Sequence, residues 1–232
     1  MANIQLGKEG LEKLQHELNY LKTAKKEELE QALEVAKRLD ESEQKDAKEE
    51  YAKLNARIEV LEELISGNYP GKDITSEGGI KVTLEGLVNL MAELDYLRTT
   101  KRQEVKEAIK VAKGFGDLSE NSEYDEAREE QGKVESRIVE LEEMLKTAEL
   151  IDETAGTDQV NVGVTVRVYN RTRNKEFEYH LVGSTEANAS LGRISDQSPI
   201  GKAIIGEKVG SVVKVETPAG VMEIEILEIA RS

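Results

Sequence analysis

The chain has 232 residues and a formal charge of −15, with no cysteine, no tryptophan and only two histidines. This composition excludes disulfides and thiolate chemistry, and it argues against a His/Cys metal centre, a catalytic triad and nonspecific binding of nucleic acid. No apolar run approaches a membrane span and no signal peptide opens the sequence, so we expect a cytoplasmic protein that binds no membrane.

Residues 1–72 are predicted to form a helical hairpin. Apolar residues recur three and four positions apart, as one face of a helix requires, at Leu11, Leu14, Leu18 and Leu21. The segment Ser66–Asp73 has the glycine, proline and asparagine content of a linker.

Residues 79–151 repeat this hairpin. Ile4 aligns with Ile80 and Arg57 with Arg137, so the offset grows from 76 to 80 residues along the repeat. The four missing residues of the first copy fall at the tip between its two helices. That tip contains no glycine, whereas the second tip, Gly114–Tyr124, contains two.

The second tip carries Asp117 and Glu120, three residues apart. On a turn that opens a helix both carboxylates can face one side, an arrangement that suits a hard cation such as Mg²⁺. The same spacing fits a capping box, with Asp117 as the N-cap and Glu120 three positions later. Spacing alone leaves both interpretations open, and Tyr124 can either pack against the tip or stack on a base.

Four basic residues accompany the second hairpin. They can form a stripe that guides RNA along the arm, or they can neutralise carboxylates one helical turn away. These residues are Lys101, Arg102, Lys113 and Arg128.

Beyond Leu150 the pattern changes to the period-two alternation of β-strands. Ser198 followed by Pro199 fits an N-cap and the first helical position, which predicts a short helix to about Ile205. We expect a hinge at 152–158 and a small domain with a twisted antiparallel sheet over 158–232. The predicted strands are Val162–Tyr169, Phe177–Val182, Ser211–Glu216 and Val221–Ile229. The predicted fold class is α+β, with two antiparallel coiled-coil hairpins before this sheet domain.

Several of these segments resemble a known family. Thr83-Leu-Glu-Gly-Leu, Glu93-Leu-Asp-Tyr-Leu and Gly116–Tyr124 are similar to the N-terminal coiled coil of bacterial GreA-type transcript cleavage factors. Ile194–Gly206 and Thr217–Leu227 resemble the C-terminal domain of that family. The resemblance spans residues 79–232, so residues 1–78 add an arm that the usual member lacks.

The resemblance implies an accessory factor of bacterial RNA polymerase with no small-molecule substrate and no enzymatic activity of its own. The coiled coil would enter the secondary channel, and the polymerase would then cleave the nascent RNA 3′ end of a backtracked complex. Asp117 and Glu120 would hold Mg²⁺ jointly with the polymerase rather than stably in the free protein, while Lys113 and Arg128 would contact RNA.

For the C-terminal domain the resemblance implies an FKBP-like fold that docks on the channel rim. The shortage of aromatic residues argues against a prolyl-isomerase pocket there.

Two alternatives differ in class. One is a channel-binding regulator or inhibitor of RNA polymerase without cleavage activity, and the other is a coiled-coil scaffold protein. The first arm keeps an apolar seam but has lost the tip, so we expect it to pack beside the second arm, to lie against the polymerase exterior, or to mediate self-association.

Overall fold

The chain forms two compact units, which consist of residues 1–74 with 88–146 and residues 75–87 with 147–232. A computed structural model describes residues 8–38, 40–67, 80–114, 122–151, 158–217 and 220–231. The first unit contains two helical hairpins and the second contains a β-sheet domain, which confirms the predicted fold class. The division into domains 1–72, 79–151 and 158–232 stays a prediction.

The first hairpin pairs a long interrupted helix with a continuous one. Asp40 begins the continuous helix by accepting a hydrogen bond from the backbone N–H of Glu43 at 3.0 Å, and Gly67 ends it with a φ of 68°. The elements are α1 (Lys8–Tyr20), a π-helical turn (Leu21–Lys25), α2 (Lys26–Ala36) and α3 (Glu41–Ser66).

The second hairpin repeats this plan. Its elements are α4 (Leu84–Tyr96), a π-helical turn (Leu97–Lys101), α5 (Arg102–Gly114) and α6 (Ser122–Thr147). Buried apolar side chains three and four residues apart line its seam, as the heptad pattern predicts, among them Leu87, Leu90, Leu94, Val134, Ile138 and Leu141.

The π-helical turns occupy equivalent positions in the two hairpins, 76 residues apart. In each, a threonine hydroxyl donates to the carbonyl four residues earlier, from Thr23 to Asn19 at 2.7 Å and from Thr99 to Asp95 at 2.8 Å. Threonine bonds of this kind compete with the regular helix ladder, so the interruption belongs to the repeated plan itself.

Paired charges join the arms of the second hairpin along the flanks of its seam. Arg137 holds Glu93 through two hydrogen bonds of 2.6 and 2.9 Å, and Arg102 holds Glu135 through bonds of 2.8 and 2.6 Å. The hydrogen bonds to Glu93 raise the pKa of Arg137 above its ordinary value. Both guanidinium groups thus fix the register of the arms while the leucines supply the burial.

The second unit contains two sheets and a short helix. Its elements are β1 (Ile80–Val82), β2 (Ala148–Leu150), β3 (Val164–Asn170), β4 (Lys175–Val182), β5 (Arg193–Ser195), α7 (Pro199–Ile204), β6 (Val212–Thr217) and β7 (Gly220–Arg231).

The larger sheet has the strand order β5-β4-β3-β7-β6. The four predicted strands and the predicted helix are all present, and those strands pair antiparallel. The sequence pattern did not predict β5, which pairs parallel with β4 at the edge of the sheet. It also did not predict β1 and β2, which form a separate parallel pair. Each missed strand has three residues, too few to show an alternation.

The core of this domain is aliphatic. Buried residues of β3, β6 and β7 form one cluster with Ile204 of α7, and along β3 they alternate with less buried ones. Ser198 caps α7 by accepting from the backbone N–H of Gly201 at 3.0 Å, as predicted. Within the described ranges, no helix is both long and apolar enough to cross a membrane.

Candidate functional site

Lys113 and Tyr124 meet where the two arms of the second hairpin end. Lys113 lies in the last turn of α5 and Tyr124 in the first turn of α6, and the ammonium group lies 5.9 Å from the centroid of the tyrosine ring. A cation at this distance from an aromatic face is attracted by it, and the contact holds the helix ends together. Tyr124 therefore contacts the last turn of α5, while stacking on a base stays a prediction.

Arg128 lies one turn after Tyr124 on α6 and is exposed. Its guanidinium donates to the side-chain oxygen of Gln131 at 2.6 Å. Over the described parts of the chain, neither Arg128 nor Lys113 forms an ion pair with a carboxylate. Within those parts, carboxylates neutralise neither of the two positive charges.

Lys101 and Arg102 behave differently from these two residues. Lys101 lies 3.4 Å from Glu130 and Arg102 pairs with Glu135, so both cations cross to the opposite arm. The hydrogen bonds that Arg102 donates to Glu135 raise the pKa of Arg102. The expectation of partners one helical turn away is wrong for these two residues, because their carboxylate partners lie on the opposite arm. Their part in an RNA-guiding stripe stays a prediction.

Asp117 and Glu120 lie outside the described residues, between the end of α5 at Gly114 and the start of α6 at Ser122. Their roles as catalytic residues and as Mg²⁺ ligands stay predictions. Two carboxylates fit the chemistry of Mg²⁺, which takes one or two of them and completes its shell with water or substrate oxygens. Within the described ranges, no cluster of three or more histidine, aspartate or glutamate side chains could hold a metal ion.

Sequence reasoning missed a buried carboxylate that anchors the start of α4. Glu186, whose side chain is 5% exposed, accepts from the backbone N–H of Thr83 at 2.9 Å and from its hydroxyl at 2.6 Å. Arg193 lies 3.4 Å from the same carboxylate and from that of Glu85. The charged group is thus fully engaged, and it ties the first turn of α4 to the sheet domain.

This anchor explains part of the Thr83-Leu-Glu-Gly motif. The Thr83 hydroxyl also accepts from the backbone N–H of Gly86 at 2.9 Å, so Thr83 caps the helix. A Cβ atom on Gly86 would lie 2.1 Å from the Glu186 carboxyl carbon, which excludes any larger residue without a shift of that side chain. The threonine and the glycine were visible in the sequence, but their distant partner was not.

Two family models match the chain. One describes the N-terminal domain of transcription elongation factors and matches residues 4–67 and again 80–150. The other describes the C-terminal domain of the GreA/GreB transcription elongation factors and matches residues 155–231. The repeated match confirms that the first hairpin is a second copy of the N-terminal domain.

Individual relatives agree with these matches. Transcription elongation factor GreA of Thermoanaerobacter pseudethanolicus is 57% identical over 151 residues, which cover 65% of this chain and 96% of the relative. GreA of Acetivibrio thermocellus is 52% identical over 153 residues, which cover 66% and 96%. GreA factor homolog 1 of Thermus thermophilus, a crystal structure, is 29% identical over 65% of this chain and 98% of its own, with a TM-score of 0.32.

The two family models and the GreA relatives define a transcription elongation factor whose helical hairpin precedes a small β-sheet domain. The chain belongs to the GreA/GreB family. It differs from the GreA relatives in its length, because they match about two thirds of it over nearly their whole length.

Proposed function

We propose that this protein stimulates the Mg²⁺-dependent cleavage of backtracked RNA by bacterial RNA polymerase and so rescues arrested elongation complexes. The observation that carries the proposal is the family match over the second hairpin together with its complete acidic tip. The protein acts as an accessory factor, because the hydrolysis belongs to the active site of the polymerase.

In this proposal the end of the second hairpin performs two tasks. Asp117 and Glu120 supply carboxylate oxygens at the polymerase active centre and help to orient the attacking water. A second Mg²⁺ bound there would stabilise the charge that develops during an in-line displacement. The tip is the only part of the protein assigned to the chemistry.

Lys113 and Arg128 bind the extruded RNA 3′ segment. Their support is structural, because both are exposed near the helix ends and neither is neutralised by a carboxylate among the described residues. Two cations close to the tip can hold phosphates without requiring a basic surface over the whole protein, whose net charge is −15.

The test is RNA cleavage in a purified, backtracked elongation complex with Mg²⁺. Asp117→Asn combined with Glu120→Gln should reduce the stimulated rate by at least about a hundredfold while binding to polymerase persists. A matched control is Glu41→Gln combined with Glu43→Gln, which removes two acids from the start of α3 in the first hairpin and should leave the rate unchanged. Equal loss in both variants would show that the effect comes from net charge rather than from the second tip.

A second candidate function is regulation of polymerase without cleavage. It is favoured by the first hairpin, which packs against α4 of the second hairpin, as described below. If the unmodified protein binds polymerase but does not stimulate cleavage, the proposal is wrong and the regulator remains.

A further inference from the structure

Two helices of the first unit carry an additional apolar stripe that their repeat equivalents lack. In α3, Ala56 and Val60 are each 4% exposed, whereas the equivalent residues of α6, Ser136 and Glu140, are exposed. These residues lie outside the seam of the hairpin itself, which Leu54, Ile58 and Leu61 occupy. A helix that is apolar on two sides requires a second partner.

The same comparison distinguishes α4 from α1. Val88 and Ala92 are buried in α4, whereas the equivalent residues of α1, Glu12 and His16, are exposed. Tyr96 is 5% exposed, yet its counterpart Tyr20 is 54% exposed. The second hairpin therefore has a covered face at the positions where the first hairpin has an open one.

Contacts between α3 and α4 identify what covers this face. The guanidinium of Arg57 donates to the side-chain oxygen of Asn89, and the ammonium group of Lys53 lies 5.5 Å from the centroid of the Tyr96 ring. Ala56 lies one turn from Lys53 on α3, and Ala92 lies between Asn89 and Tyr96 on α4. The two stripes thus face each other, and we call this contact the inter-hairpin seam.

The order of the contacts gives the orientation of the helices. Arg57 meets Asn89, while Lys53, which is earlier on α3, meets Tyr96, which is later on α4. The helices are therefore antiparallel, and the two hairpins lie side by side with their tips toward the same end. Burial, followed by the carboxylates of Glu49 and Glu104, raises the pKa of the Tyr96 hydroxyl.

A pair of equivalent arginines shows how the seam changes local bonding. Arg137 donates to Glu93 and to Glu140 within the second hairpin. Its counterpart Arg57 keeps the equivalent partner, Glu17, through Nε, but one terminal guanidinium nitrogen donates to the side-chain oxygen of Asn89 in the second hairpin. Since Val60 stands where the second hairpin has Glu140, Arg57 lacks this second carboxylate partner and instead links the two hairpins.

We propose that the first hairpin is a permanently bound intramolecular partner of the second, and that the two hairpins stay packed together when the protein binds RNA polymerase. The polymerase part rests on the proposed function. Separation would expose Val60 and Tyr96 to water, and each large side chain so exposed disfavours the open state by at least about tenfold. A polymerase site that receives the second hairpin must therefore accept it with its α4 face already covered.

The natural absence of cysteine allows a direct distance measurement. Ala32 and Ala108 are equivalent, exposed residues of α2 and α5, and Ala32→Cys with Ala108→Cys provides two sites for spin labels on the full chain. Pulsed electron paramagnetic resonance should give one narrow distance distribution that is unchanged when core RNA polymerase is added. Co-elution with polymerase reports binding separately.

The seam variant is Ala56→Ser with Val60→Glu, which gives α3 the residues that α6 carries. It should broaden the distance distribution and accelerate amide hydrogen exchange in α3 by at least about tenfold, because an unpaired charge enters an apolar contact. The control Val139→Glu makes the same change on the exposed face of α6, where the first copy has Glu59, and should alter neither readout. If the first variant fails to fold, Ala92→His is used instead. It introduces the residue that the first hairpin has at His16 and disrupts the same contact from α4.

Two results would overturn the proposal. A broad distribution in the free protein would show that the seam does not hold. A narrow distribution that shifts to a longer distance when polymerase is added would show that the first hairpin separates from the second on binding. If the protein does not co-elute with polymerase, the proposed function fails, while the measurement on the free protein still decides whether the seam exists.

Discussion

The first and second hairpins are two copies of one helical plan, with a π-helical turn at the same place and buried leucines along the same seam. They differ in their tips and in the outward faces of their helices. The first copy has lost four residues and both glycines at its tip, while α3 and α4 have gained apolar residues that face each other. After a duplication, the seam of each hairpin has to be kept for folding, whereas tips and outward faces are free to change.

The comparison also shows how one residue type serves two environments. Tyr20 and Tyr96 are equivalent, yet the first is mostly exposed and the second is covered by Lys53. Burial of Tyr96 thus comes from the neighbouring hairpin and not from the local sequence. A change inside either hairpin seam should therefore act alike in both copies, and a change on an outward face should not.

The largest expected effect tests the shared seam. Leu61 and Leu141 are equivalent and have no exposed area, so Leu61→Ala and Leu141→Ala should each lower the free energy of unfolding by about 2–5 kcal/mol. Urea unfolding followed by circular dichroism measures both. Only Leu141→Ala should also slow RNA cleavage, because it loosens the hairpin that carries the acidic tip.

Val139→Ala, on the exposed face of α6, is the control for these two variants and should change stability by less than about 0.5 kcal/mol. A cost below about 1 kcal/mol for either leucine would contradict an equal packing role for the two seams.

An intermediate effect on stability is expected at a glycine that only the second hairpin contains. Gly132 lies inside α6, where the first hairpin has Ala52, and a Cβ atom added there would meet no atom within 4 Å. Gly132→Ala should raise the free energy of unfolding by about 0.5–1 kcal/mol, because alanine restricts the unfolded chain more and favours the helix. Thermal unfolding measures the change.

The opposite result is expected at Gly86, where Glu186 leaves no room for a Cβ atom. Gly86→Ala should lower the melting temperature, because the buried carboxylate and its bonds to Thr83 must shift. If both substitutions stabilised the protein, helix propensity alone would account for the changes in stability. The contacts of Glu186 would then make no measurable contribution to stability.

The smallest effect depends on pH. Burial, followed by the nearby carboxylate of Glu63, raises the pKa of Asp95 above its ordinary value. A carboxyl group with a raised pKa destabilises the folded state once it ionises, so the penalty is present at neutral pH and absent below the ordinary pKa of about 3.9. Asp95→Asn, which copies Asn19 of the first hairpin, should therefore stabilise the protein at pH 7 by a few tenths of a kcal/mol and have no effect near pH 3.

Melting temperatures of the Asp95→Asn variant and the unmodified protein, measured at both pH values, test this sign. An equal rise in melting temperature at both pH values would point to helix propensity instead of charge as the cause.

Much of the fold was predictable from periodicity. The leucines of both hairpins, the four long strands and the Ser198 cap carry local signals, so their elements could be found from neighbouring residues alone. The three-residue strands β1, β2 and β5 could not, because a strand of that length is defined by its partners. The site was predictable only in part: the RNA contact of Lys113 and Arg128 stays a prediction, whereas Lys101 and Arg102 bridge the arms, which no local pattern indicated.

The sequence by itself determined the family, the duplicated hairpin and the loss of the acidic tip from one copy, because each follows from residues close together in the chain. Only the tertiary structure decided that Glu186 anchors Thr83 and that Arg57 and Lys53 reach the second hairpin. Those contacts join residues 32 to 103 positions apart. A local pattern can state that a helix has a second apolar face, but the folded chain has to show what that face meets.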